Sequence, residues 1–209
     1  MARTAEVSEA VNANVKVIKT VNLDEAQSGL GAIPAALAPY ITVTEQGDAL
    51  LHKTILTCVD LPLSVADDAG VAQYGGVKVY TFPEGAICSL GAVIAGNLTM
   101  GVTGTFIDAF TGVVALGSVV ATTGASLIST EATWLQSVAM AVAAAKVAAI
   151  GAISIAAALT EAGARWVDGT VTPAPVFLNV AIADDATHTA GTGKFTGTIT
   201  ITWLNLGDK

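Results

Sequence analysis

Charge is what this chain has least of. Only 12% of its 209 residues are Asp, Glu, Lys or Arg, about half the usual share. Nine are Lys or Arg, scattered along the chain, and the formal net charge is −8. Recognition of a nucleic-acid backbone needs clustered cations to neutralise phosphates, so direct nucleic-acid binding is excluded. Cysteine is nearly absent too. Cys58 and Cys88 could pair, yet a chain with 53% hydrophobic residues has core enough to fold without a staple, and two buried free thiols are expected. The two histidines, His52 and His188, lie far apart and neither adjoins a nucleophile motif, so neither is read as catalytic. The N-terminal stretch MARTAEVSEAVNANVKV lacks a continuous apolar core, and no secretory leader is expected. A surface poor in charge and rich in Thr, Ser, Ala and Gly is read as one covered by other subunits, because solubility of a lone chain leans on charge.

What the chain does have is alternation, most clearly at its end. From Phe195 to Trp203 the residues Phe195, Ile199, Ile201 and Trp203 fall on one face of an extended chain. Thr196, Thr198, Thr200 and Thr202 fall on the other. Successive strand side chains point to opposite faces, so this is a half-buried β-strand. It needs paired neighbours and a covering layer, which the earlier chain must supply.

Residues 1–27 are mixed and weakly periodic around a β-like run at Val15, Val17 and Ile18, and read as an extended arm. Residues 28–209 read as a single domain. Ser28 to Pro39 is a Gly- and Pro-rich loop with a helical turn at Ala35 to Ala38, followed by strands at Tyr40–Thr44 and Leu50–Val59. Pro62, Asp67, Asp68 and Gly70 mark a connection, and a strand follows at Val77–Phe82. Phe82-Pro83-Glu84-Gly85 has the form of a type I turn and predicts a hairpin with Ala86–Met100. Further strands are expected at Thr105–Ala109 and Val113–Ala121. The apolar stretch Val138–Leu159 has the length of a membrane span, but Lys146 falls near its centre, Gly151 interrupts it, and alanine contributes little transfer free energy. It reads instead as a helical piece over Glu131–Lys146 leading into a strand. Val176–Ala183 alternates again, and with the closing strand predicts a hairpin with a long polar tip. Turn signals about every ten residues place the chain among mainly β folds, as an antiparallel β-sandwich or jelly-roll-like domain with one short Ala-rich helix.

Candidate chemistry is thin. Asp67–Asp68 and Asp184–Asp185 lack the spacing that wraps a chain around calcium, and aspartates are common in turns, so no metal ligand is assigned. Gly191-Thr192-Gly193-Lys194 resembles part of a phosphate loop but runs into a strand rather than a helix. Asn97-Leu98-Thr99 fits the glycosylation sequon, which has little meaning without a leader. Trp203 is placed in the core by its face, whereas Trp134 and Trp166 are left as candidates for a ligand or partner surface. Catalytic residues, metal ligands and cofactors are all set at none.

Two blocks, Val77–Ala92 (VKVYTFPEGAICSLGA) and Thr198–Asp208 (TITITWLNLGD), with Phe177-Leu178-Asn179 before the second, are similar to virion structural proteins of tailed bacteriophages of the capsid decoration or cement type. That resemblance covers roughly Tyr40–Ala121 and Val176–Asp208 and rests on packing and turn motifs. It implies a homo-oligomer, a trimer, on the outer surface of a capsid assembled in the host cytoplasm. There it would bridge major capsid protein subunits and stabilise the shell, with no direct contact to nucleic acid or membrane. In that setting Val15, Val17 and Ile18 are the candidate partner-binding residues, adding a strand to a neighbour. The alternative of a different class is a carbohydrate- or receptor-binding β-sandwich module of a phage tail or cell surface, using Trp134 or Trp166.

Overall fold

Wherever large apolar residues alternate with small polar ones, the backbone is a strand. The computed structural model describes residues 7–8, 16–20, 31–47, 50–68, 72–122, 127–154, 166–169, 171–183 and 188–207. They form β1 (Val7–Ser8), β2 (Lys16–Thr20), β3 (Ile41–Gly47), β4 (Leu51–Asp68), β5 (Ala72–Thr81) and β6 (Ala86–Thr103). Then follow β7 (Gly112–Gly117), β8 (Leu135–Ala139), β9 (Val147–Ser154), β10 (Trp166–Asp168), β11 (Pro175–Ala183) and β12 (Gly191–Asn205). Every strand pairing is antiparallel. The helical pieces among the described residues are the 3-10 turns Ala35–Leu37 and Ser129–Ala132, and none is long and apolar enough to cross a membrane.

The strands form one sheet folded into two layers, the mainly β, sandwich- or jelly-roll-like class that the alternation predicts. One layer runs β1-β2-β3-β4-β12-β6-β9, with β10 beside β9 on the edge of β6; the other runs β4-β5-β11-β7-β8. The roll nearly closes between β8 and β9, where Ala141 N–H donates to the Ala149 carbonyl at 3.0 Å. Between the layers the aromatic residues meet. Phe82 stands edge-on to both Trp134 and Trp203 at 5.0 Å and to Tyr80 at 5.5 Å, and all four are buried. Each indole finds an acceptor, Pro175 O for Trp134 and Thr54 Oγ1 for Trp203.

β4 is the joint between the layers. Its first half pairs with β3, Ile41 opposite Cys58 through Gly47 opposite His52, and its last residues, Val65–Asp68, pair with β5. Between them lies a bulge. Asp60 has φ 51°, and its N–H donates to Thr196 Oγ1 at 3.0 Å, while the register against β12 shifts between Phe195 and Gly197. An extra residue bends the strand and increases its twist, which lets one strand serve two layers. Pro62, expected to end the strand, lies inside it. It falls where neither the β3 nor the β5 ladder reaches, so a missing N–H is tolerated.

Four local expectations are corrected. β5 and β6 are not a hairpin: β5 pairs with β4 and β11, β6 with β12, β9 and β10, so Phe82–Gly85 crosses between layers. β11 and β12 likewise lie in different layers, each central. The turn signals were sound, but turn chemistry reverses a chain without deciding which sheet each arm joins; burial on both sides decides that. Thr105–Ala109 is irregular, not a strand. The helix over Glu131–Lys146 is absent: Leu135–Ala139 is β8, paired to β7 with Leu135 opposite Leu116. Alanine favours a helix only weakly, and burying Trp134, Leu135 and Met140 against the roll outweighs it.

Candidate interaction surface

The inward residues of β3, β4, β12, β6 and β9 build the core, so their outward residues build a face. Antiparallel register sets these side chains in lateral rows. At the centre Thr42, Thr57, Thr198, Ala95 and Gly151 stand side by side, one from each strand. The next row is Thr44, Ile55, Thr200 and Val93, and the one beyond is Gln46, Lys53, Thr202 and Gly91. It ends in an apolar row of Leu51, Leu204, Cys88 and Trp166, in which Trp166 is 55% exposed and Leu51 43%. On the other side of centre come Thr196, Asn97 and Ala149, then Pro62, Lys194, Thr99 and Val147.

Thr196 and Thr198 are exposed and Thr200 and Thr202 half-buried, as the alternation predicts. Lys53, Asp60 and Lys194 are the charges on these rows, and Lys194 Nζ lies 3.5 Å from Asp60 Oδ2. Hydroxyls, the amides of Gln46 and Asn97, a thiol and apolar groups make up the rest. Beyond those charges the face offers another surface contact area. The sequence names the threonines of β12, but the rows need the register, which the bulges at Asp60 and at Leu90, between Ser89 and Gly91, set.

The described arm residues extend this layer beyond β3. β2 pairs along β3, with Val17 opposite Gln46 and Ile18 opposite Glu45, and β1 pairs along β2. Val15 is outside the described residues. Of the two tryptophans left open, Trp134 is fully buried and Trp166 belongs to the apolar row. His52 is buried and stacks on Trp203 at 4.1 Å; His188 is buried, stacks on Phe106 at 5.0 Å and meets Gln73 Oε1 through Nδ1 at 3.0 Å. Gln73 in turn donates to Asp67 at 3.1 Å. Among the described residues no group of three or more His, Cys, Asp or Glu could hold a metal, and Asp184 and Asp185 lie outside them. Gly191 and Gly193 are packed against the backbone of Thr103 and Thr99, where no phosphate fits. Cys58 and Cys88 form no disulfide and are buried, and burial pushes the Cys58 thiol up to about 12.

One buried polar cluster went unread. Glu45 lies in the core and accepts from the Tyr80 hydroxyl at 2.6 Å and from Thr54 Oγ1 at 2.9 Å, while Thr54 accepts from the Trp203 indole at 2.8 Å. Burial pushes the Glu45 carboxyl up, its bonds to Tyr80 and Thr54 hold it down in part, and the Tyr80 hydroxyl is driven well above its ordinary value. The signal was present: in Ile41-Thr42-Val43-Thr44-Glu45 the carboxylate shares the face of Ile41 and Val43.

The chain was compared with protein-family models, curated proteins and solved structures. Nothing matches.

Proposed function

We propose that this chain is a non-enzymatic virion structural protein of the capsid decoration type. It acts by area rather than chemistry: it lies on the outside of a phage head and bridges major capsid protein subunits. The observation that supports this best is the outer face of β3, β4, β12, β6 and β9, broad and poor in charge. A single chain in water gains nothing from such a face, whereas an assembly covers it, and repetition around a shell multiplies weak contacts. The arm supplies a second means of attachment by exchange: β2 pairs with its own β3 through main-chain hydrogen bonds, and the β3 of a neighbour offers it the same ladder.

The test is truncation of residues 1–19 followed by protein counting on purified particles. The truncated chain is expected to fold and to leave heads unoccupied; normal occupancy would remove the arm from the mechanism. Absence of the full chain from heads would end the proposal. The exposed ring of Trp166 supports a second reading, a glycan- or receptor-binding module. Glycan-array binding that is lost in Trp166→Ala would favour it.

A further inference from the structure

We infer that the outer face of β4, β12 and β6 joins two copies of this chain, packed face to face about a two-fold axis running across the strands. The inference rests on the reading of that face as an interface and names its occupant. The rows are symmetric about the line between Thr198 and Thr200. Rotation about that line carries each strand onto its own reverse and each row onto the row equally far beyond the line. Lys53, in the row of Thr202, lands on the row of Thr196, beside which Asp60 stands on the same strand. Each copy thus sets Lys53 against the Asp60 of the other, twice per pair. In the same exchange of rows Leu51 and Trp166 land over Pro62 and Val147, apolar on apolar, and Leu204 lands over Lys194, whose ammonium turns aside to Asp60.

Charge decides between the two possible axes. A two-fold along the strands would lay Lys53 over Gly91 without an opposite charge and bring Lys194, which holds Asp60 in its own copy, against the Lys194 of the other. The crosswise axis instead sets Lys53 against Asp60 and keeps the two Lys194 apart. Area is sufficient as well: four strand positions, β4, β12, β6 and the β9–β10 edge, about 4.8 Å apart, and residues about 3.4 Å apart give a face about 19 by about 34 Å, on the order of 650 Å² per copy, at the lower end of standard interfaces. The central rows are small, so two sheets approach to about the 10 Å of a sandwich. A face complementary to itself requires a two-fold; a three-fold joins two different patches.

The test is light scattering and sedimentation of the full chain. Two chains per particle are expected at micromolar concentration. Lys53→Glu should weaken pairing by at least about tenfold, because like charges then face each other. The swap K53E/D60K/K194E restores opposite charges across the axis and should recover most of that loss. Thr198→Arg, on the exposed side of β12, should yield single chains that still unfold cooperatively, at a midpoint that no longer depends on protein concentration. Single chains of the wild type at high concentration, a mass of three chains, or a pair indifferent to both K53E and T198R would overturn the inference. Pairing without occupancy of heads would end the proposed function and leave the pair standing; occupancy without pairing would assign the face to the shell.

Discussion

The Tyr80 hydroxyl donates to Glu45 Oε1 at 2.6 Å across the inside of the roll, from β5 to β3. That bond lies within an otherwise apolar core, and Thr54 and the Trp203 indole continue it toward β12. The group at its end is a carboxyl that burial makes reluctant to ionise.

This gives a pH dependence with a definite sign. The unfolded Glu45 titrates near 4.5, and the folded one holds its proton to higher pH. Within that window the folded state binds more protons than the unfolded, so its stability falls as pH rises, and the loss is complete once pH passes the folded value. Glu45→Gln keeps an acceptor for Tyr80 and has nothing to ionise. Urea unfolding of both proteins from about pH 4 to about pH 8 should show the wild type losing ground to the variant as pH rises. Parallel curves would show that Glu45 ionises freely in the fold.

Asn179 leads to a sharper loss. On β11 its side-chain amide donates to Val119 O and Glu131 O at 2.8 Å each and accepts from Ala121 N–H at 3.1 Å, all beneath the segment that crosses the outside of β11. Asn179→Leu leaves three backbone groups without that partner, at a cost of ~2–4 kcal/mol. Hydrogen exchange should place the damage at residues 118–121 and leave β12 protected. Uniform loss of protection would mean that the segment has no independent stability.

Glycines on two strands of the same layer should respond in opposite ways. Gly96 and Gly197 face each other across β6 and β12 with the Phe195 ring against both. A Cβ on Gly197 would run into the Ala95 carbonyl, so Gly197→Ala is expected to cost at least about 2 kcal/mol. Gly151 on β9 has nothing within 4 Å of its would-be Cβ. Gly151→Ala should stabilise by about 0.5–1 kcal/mol through the unfolded chain. Equal effects in thermal melts would place the two strands differently from the register described.

How much of this could be read beforehand follows from what is local. The Phe195–Trp203 alternation is local, and its four large residues are all fully buried. The carboxylate of Glu45 on an apolar face is local too, and was legible but unread. The partners of β5 and β11 are not local: Pro83 and Gly85 set a turn, while the layer each arm joins depends on residues a hundred positions away. The Ala-rich stretch fails for the same reason, because alanine tolerates either conformation and Trp134 decides by where it can be buried.

The hairpin that ends this stretch carries the last prediction. Ala144 and Val147 exchange both backbone hydrogen bonds at 3.0 Å, and the residues between them, Ala145 and Lys146, have φ 49° and 66°. Positive φ at both central positions is the I′ pattern, which asparagine and glycine adopt readily and side chains such as these resist. The turn is nonetheless fixed, since Lys146 N–H donates to Asp108 O at 2.9 Å and its carbonyl accepts from Met100 N–H at 3.0 Å. The surrounding chain thus holds two residues in a conformation they disfavour. Ala145→Asn with Lys146→Gly relieves it and should raise stability by about 1–2 kcal/mol. The gain should appear as a higher urea midpoint at unchanged slope. A lower midpoint would mean that the Lys146 side chain, which lies over Gly101, contributes more by packing than its backbone costs.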